Sequence, residues 1–140
     1  MFLSRRRDAG SARFRALREL YRSFIEQNGP DARALRLLRE WLSPEQRAQF
    51  DADGYFEVIG SHTGRRYRIH HGTVGNVLEV DEKGQPKIGW CFVPERTMLA
   101  GDVMLAQKIA LETDEAAVLA LAHRFSPRLP SLPRVVRRAY

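Results

Sequence analysis

A single cysteine, Cys91, in 140 residues leaves no partner for an internal disulfide and suits a reducing compartment. The same scarcity argues against zinc. Structural zinc sites take three or four ligands and show paired spacings such as Cys-x-x-Cys, and this chain has none. Its adjacent histidines, His70 and His71, would point to opposite faces of a strand, so they cannot share one ion without a bulge. There is no Gly-x-Gly-x-x-Gly and no Gly-Lys-Ser/Thr, so no phosphate loop is expected. No run approaches 18 consecutive apolar residues, so no membrane span is expected. The opening "MFLSRRRDAG" carries arginines with no apolar run behind them, unlike a secretory signal. These absences predict a cytoplasmic protein with no metal, no cofactor and no membrane partner.

Lysine is scarce as well. Of 23 basic residues only Lys83, Lys87 and Lys108 are lysine; the net charge is +6 and the rest is arginine. Arginine suits bidentate contacts to phosphate and carboxylate. An arginine- and alanine-rich chain is also what a GC-rich genome encodes, so position says more than the sum. Arginine gathers at both ends, as Arg5, Arg6 and Arg7 and as Arg134, Arg137 and Arg138 in the acid-free tail "RFSPRLPSLPRVVRRAY".

The hydrophobic period divides the chain into three segments of one α+β domain, 11–125, between a flexible basic N-terminus (1–10) and a Pro/Arg-rich tail (126–140). Residues 11–53 read as helical. Phe14, Leu17, Leu20, Tyr21, Phe24 and Ile25 recur at spacings of three and four, which builds one apolar stripe. Ser11 is placed to cap that helix, and Asn28-Gly29-Pro30 to stop it. Asp31 would cap a second helix with Leu35, Leu38, Trp41 and Leu42 inward. "SPEQ" at 43–46 has the form of a capping box with proline in the first turn, and Gly54 closes that third helix. An alternative leaves the first helix as an arm that docks only on a partner, its stripe open in the isolated chain.

From 54 to 94 the period falls to two. "YFEVIG", "RRYRIHHG", "TVGNVLEV" and "PKIGWCFV", separated by turn residues, predict a four-stranded antiparallel meander. Tyr67 and Ile69 take one face and Arg66, Arg68 and His70 the other; Ile88, Trp90 and Phe92 lie opposite Lys87, Gly89 and Cys91. His70-His71 then ends the second strand and enters the turn to the third. Residues 101–125 return to a helical period, with Asp102 as entry cap and a kink or a second start at Thr113, where Asp114 and Glu115 suit a helix N-terminus. Met104, Leu111, Val118, Leu121 and Phe125 would form its buried stripe on the sheet.

The pattern Gly-x-Phe-x-Val-x-Gly-Ser (54–61), Tyr-Arg-Ile (67–69), Gly-Asn-Val (75–77), Cys-x-x-Pro (91–94) and "GDVMLAQKIALETDE" (101–115) resembles a group of small uncharacterised bacterial and phage proteins. The likeness spans roughly residues 42–124. It implies one compact unit of sheet plus helix in a phage-related setting, and it brings no function with it. Members of that group often carry a histidine before the proline where this chain has Val93, which counts against a Cys–His pair there.

No catalytic set emerges. Cys91 as a nucleophile would need a neighbouring base, so a small enzyme using Cys91 and a histidine is the lesser alternative. The acids at 79–82 and 112–115 read as a solvated turn and as helix-start residues. What remains is a surface: Arg65, Arg66 and Arg68 on or beside one strand, His70 continuing the row, Lys87 nearby, and Tyr55 and Tyr67 for stacking. With Arg5, Arg6, Arg7, Arg134, Arg137 and Arg138, it predicts a non-catalytic binding or assembly module for nucleic acid or a larger protein complex. A homo-oligomer is compatible with this.

Overall fold

A computed structural model describes residues 2–92 and 98–127, with residues 2–9 and 25 described by their backbone alone. Its elements run α1 (Phe2–Asn28), α2 (Pro30–Trp41), α3 (Pro44–Asp53), β1 (Tyr55–Ile59), β2 (Arg66–His70), β3 (Val77–Val80), β4 (Pro86–Cys91), α4 (Ala100–Ala120) and β5 (His123–Phe125). The architecture is α+β: an antiparallel sheet in the order β1-β2-β3-β4-β5, with helices before it and a helix packed across it. The meander expected from the period is present and has a fifth strand. Gly89 pairs with Phe125 in β5, whose ring lies where a methyl at Gly89 would stand, so a side chain there would push the edge strand away.

The inner sheet face is built from alternate residues, as the period requires. Phe56, Val58, Tyr67, Ile69, Val77 and Trp90 meet Leu38 of α2, Leu42 just after it, and Met104 and Leu111 of α4. Fully burying each aliphatic or aromatic side chain is worth about 1.5–3 kcal/mol, so this layer is the main cohesive term. α3 lies against β1 through the edge-to-face pair Phe50–Phe56. Its start is the capping box read from "SPEQ": Ser43 Oγ accepts from Gln46 N at 3.1 Å, and Gln46 Oε1 accepts from Ser43 N at 3.0 Å. Gly54 caps its end.

Several boundary expectations are corrected. α1 opens at Phe2, so Ser11 lies inside it and most of the expected flexible basic N-terminus (1–10) belongs to the helix. Gly29, not Asp31, is the N-cap of α2, and Leu99, not Asp102, that of α4. Trp41 is exposed. α4 ends at Ala120, five residues short of the expected helix, because the chain turns there into β5. Leu121 is therefore exposed, and Phe125 packs on the outer sheet face rather than in a helical stripe. The largest difference concerns α1. Phe14, Leu17, Leu20, Tyr21 and Phe24 are each between 63% and 68% exposed.

Candidate functional site

The sheet brings the arginine row together and also neutralises most of it. Arg66 and Arg68 project from the outer face of β2, and β1 sets Glu57 directly opposite Arg68. One carboxylate serves both: Glu57 Oε1 takes Arg68 Nε at 3.1 Å and Glu57 Oε2 takes Arg66 Nε at 3.4 Å. Arg65 Nε stands 3.5 Å from Glu79 Oε1. Lys87 borders a 290 Å³ recess with Arg65 and Arg66, but Glu79, Asp81 and Glu82 line it too. Asp81 is held below the usual carboxylate range by hydrogen bonding from Gln85 N and, less, from Lys83 N.

The expected stacking residues are occupied. Tyr67 is fully buried on the inner face. The Tyr55 ring carries the Arg68 guanidinium 4.8 Å above its centroid and the His70 ring 5.0 Å away. Burial, helped by the Arg68 charge, pushes the His70 pKa down, so its imidazole favours the neutral form. Of the terminal clusters, Arg134, Arg137 and Arg138 lie outside the described residues, and Arg5, Arg6 and Arg7 are placed by backbone only, in the first turns of α1.

Cys91 sits opposite His123 in the β4–β5 register, while His70 is separated from it by β3. The thiol is half-buried. Among the described residues no cluster of three or more His, Cys, Asp or Glu side chains is arranged to hold a metal ion. A 740 Å³ cleft between α3 and the β1–β2 edge is bordered by Glu45, Asp53, Glu57, Glu112 and Arg66. Glu57 and Glu112 are already paired in it, the latter with Lys108 Nζ at 2.6 Å.

Sequence reasoning missed the side chain with the most hydrogen bonds among the described residues. Glu115, read as a helix-start acid, is 1% exposed. Its Oε1 accepts from His62 N at 3.0 Å and Thr63 N at 2.7 Å, and its Oε2 from Thr63 Oγ1 at 2.6 Å and Tyr67 Oη at 2.5 Å. Burial alone would raise its pKa; the bonds from Thr63, Tyr67 and His62 outweigh that and lower it to about 2. Burial raises the Tyr67 pKa, and its bond to the Glu115 charge raises it further. Gly60 makes room for the carboxylate, since a methyl there would fall on it. A second polar clamp lies 8 residues earlier on α4, where Asn76 Nδ2 and Gln107 Oε1 meet at 2.7 Å and Gln107 Nε2 and Asn76 Oδ1 at 3.0 Å. Both clamps are satisfied internally and present no free reactive atom, so their work is to fasten α4 to the hairpin loops.

Among the described residues, that leaves α1 as the surface without a counterpart. Its apolar stripe runs along one side, and Arg15, Arg18 and Arg22 form a ridge beside it, with the Arg18 guanidinium 6.0 Å over the Phe14 ring. No described helix is long and apolar enough to cross a membrane. No protein-family model, curated protein or solved structure matches the chain, so the reading of its function rests on this geometry.

Proposed function

We propose that the chain is a non-catalytic assembly module: an α+β body that presents α1 as a docking helix to a protein partner. The carrying observation is that five large apolar side chains on one helix, Phe14, Leu17, Leu20, Tyr21 and Phe24, are all more than 60% exposed. Contiguous apolar patches beyond a few hundred Å² on a soluble chain mark interaction sites, and an amphipathic helix offering anchors at i, i+3, i+7 and i+10 is a recurrent recognition element. The arginines of the β2 row, each beside a carboxylate, serve this reading as a secondary polar surface. Installing a photo-crosslinking residue at Leu17 and, separately, at Glu19 on the far side of the helix tests it in cells. A discrete protein adduct from position 17 and none from position 19 is the expected result. Absence of any adduct along the stripe would remove the docking helix from the account.

A further inference from the structure

Resting on that reading of α1, we infer that the occupant of the stripe is a second copy of this chain, with the two α1 helices packed antiparallel. The spacing selects a helix as the partner. Phe14, Leu17, Tyr21 and Phe24 alternate steps of three, four and three, which is the seam two helices share when side chains interlock, and Leu20 flanks it. The direction follows from what each arrangement sets face to face. Antiparallel, Phe14 meets the copy's Phe24, Leu17 meets the copy's Tyr21, and Leu20 meets Leu20 at the two-fold axis. Every large residue of the stripe finds another, the reciprocity that a two-fold interface demands in either direction, so the flanking charges decide between them.

Charge selects the antiparallel arrangement. Parallel helices would set Arg13 against the copy's Arg18 on both sides of the seam, two like-charge contacts in the flanking positions that govern helix pairing. Antiparallel, Arg13 faces Gln27, and only Arg18 meets its own copy. Arg15 and Arg22 point away from the seam into water in either case. The area suffices as well. With five residues more than 60% exposed on each copy, and roughly 130 Å² of open surface per residue, the pair buries about 1,300 Å² in total, within the range of a stable interface.

Analytical ultracentrifugation of the full chain over a concentration series should give twice the chain mass, shifting to the single mass in Leu17→Glu/Phe24→Glu. Far-UV circular dichroism should show that the variant keeps its folded body, because neither side chain touches the core. Direction is read by oxidation in a Cys91→Ala background. Leu17→Cys mixed with Tyr21→Cys should form a mixed disulfide dimer, whereas each alone should not. Cross-linking of either single variant with itself would overturn the antiparallel arrangement. A dimer indifferent to Leu17→Glu/Phe24→Glu would place the interface elsewhere and end the proposal. A chain that stays monomeric while the Leu17 photo-crosslinker captures a different protein overturns self-pairing but leaves α1 as a docking helix; a monomer with no capture removes both.

Discussion

The Ser61 hydroxyl accepts a hydrogen bond from Glu115 N at 3.0 Å, and Ser61 N donates to Leu111 O at 2.9 Å. In an unbroken helix, Glu115 N would donate to Leu111 O directly. The β1–β2 loop is thus spliced into the α4 ladder, satisfying both groups that the kink at Asp114 releases (φ −149°, ψ 64°). The loop supplies the cap of the second half of α4, a role that Thr113 does not take because its hydroxyl donates back to Ile109 O.

Ser61→Ala should cost about 1 kcal/mol, the usual value of a lost helix cap, because the Ser61 N–Leu111 O bond survives the change. Gly60→Ala should cost more, about 2–4 kcal/mol, since it displaces the carboxylate and leaves buried donors unpaired. Urea denaturation reads both. Equal costs would mean that the loop yields around the added methyl.

Glu115 makes the fold acid-sensitive over a defined window. Its pKa falls from 4.5 to about 2 on folding, so the carboxylate stabilises the native state fully above the unfolded value. That shift corresponds to about 3 kcal/mol at neutral pH, lost progressively as pH falls from about 4.5 through about 2. Glu115→Gln should lower neutral-pH stability by a similar amount and flatten the stability curve across that window. A Gln variant with an unchanged pH slope there would assign the acid response to another group.

The elements follow from local rules, and the contacts between them much less so. The period of three to four announced α1, and the capping box announced α3, because each depends on neighbours within one turn. The stripe on α1 was legible as apolar, but a pattern does not state whether the chain's own core or another surface covers it. β5 has three residues, too few for a period to register. Glu115 reads as a helix-start acid from its neighbours, because its partners His62, Thr63 and Tyr67 lie about 50 positions away. The one local trace of that site is Gly60 followed by Ser61 and Thr63, small and hydroxyl residues where a carboxylate approaches the backbone.

Cys91 is expected to behave as a packing residue. Cys91→Ala should leave the fold and the assembly state intact and cost about 1 kcal/mol, for a half-buried thiol that no described histidine hydrogen-bonds. Iodoacetamide should react with Cys91 no faster than with a free thiol at neutral pH. Much faster alkylation would point to an activated thiolate and revive the nucleophile that the sequence left as its alternative.

Arg65, just before β2, and Arg66 and Arg68 within it carry little uncompensated charge. Glu57 holds Arg66 and Arg68, and Glu79 stands beside Arg65, so three guanidinium groups present a net charge near one. If the row contacts nucleic acid, it should add only about 0.7–0.9 to the slope of log affinity against log salt, the contribution of a single phosphate. Glu57→Gln frees two of the three cations and should steepen that slope by roughly another 0.7–0.9 while tightening binding. Its effect on stability should stay within about 1 kcal/mol, because both ion pairs are partly solvated. Titrating labelled single-stranded DNA or RNA at several salt concentrations measures both slopes. A loss of two or more units in Arg65→Gln/Arg66→Gln/Arg68→Gln relative to the wild type would mean that the carboxylates let go of the arginines on binding, and the row would then be a phosphate site in its own right.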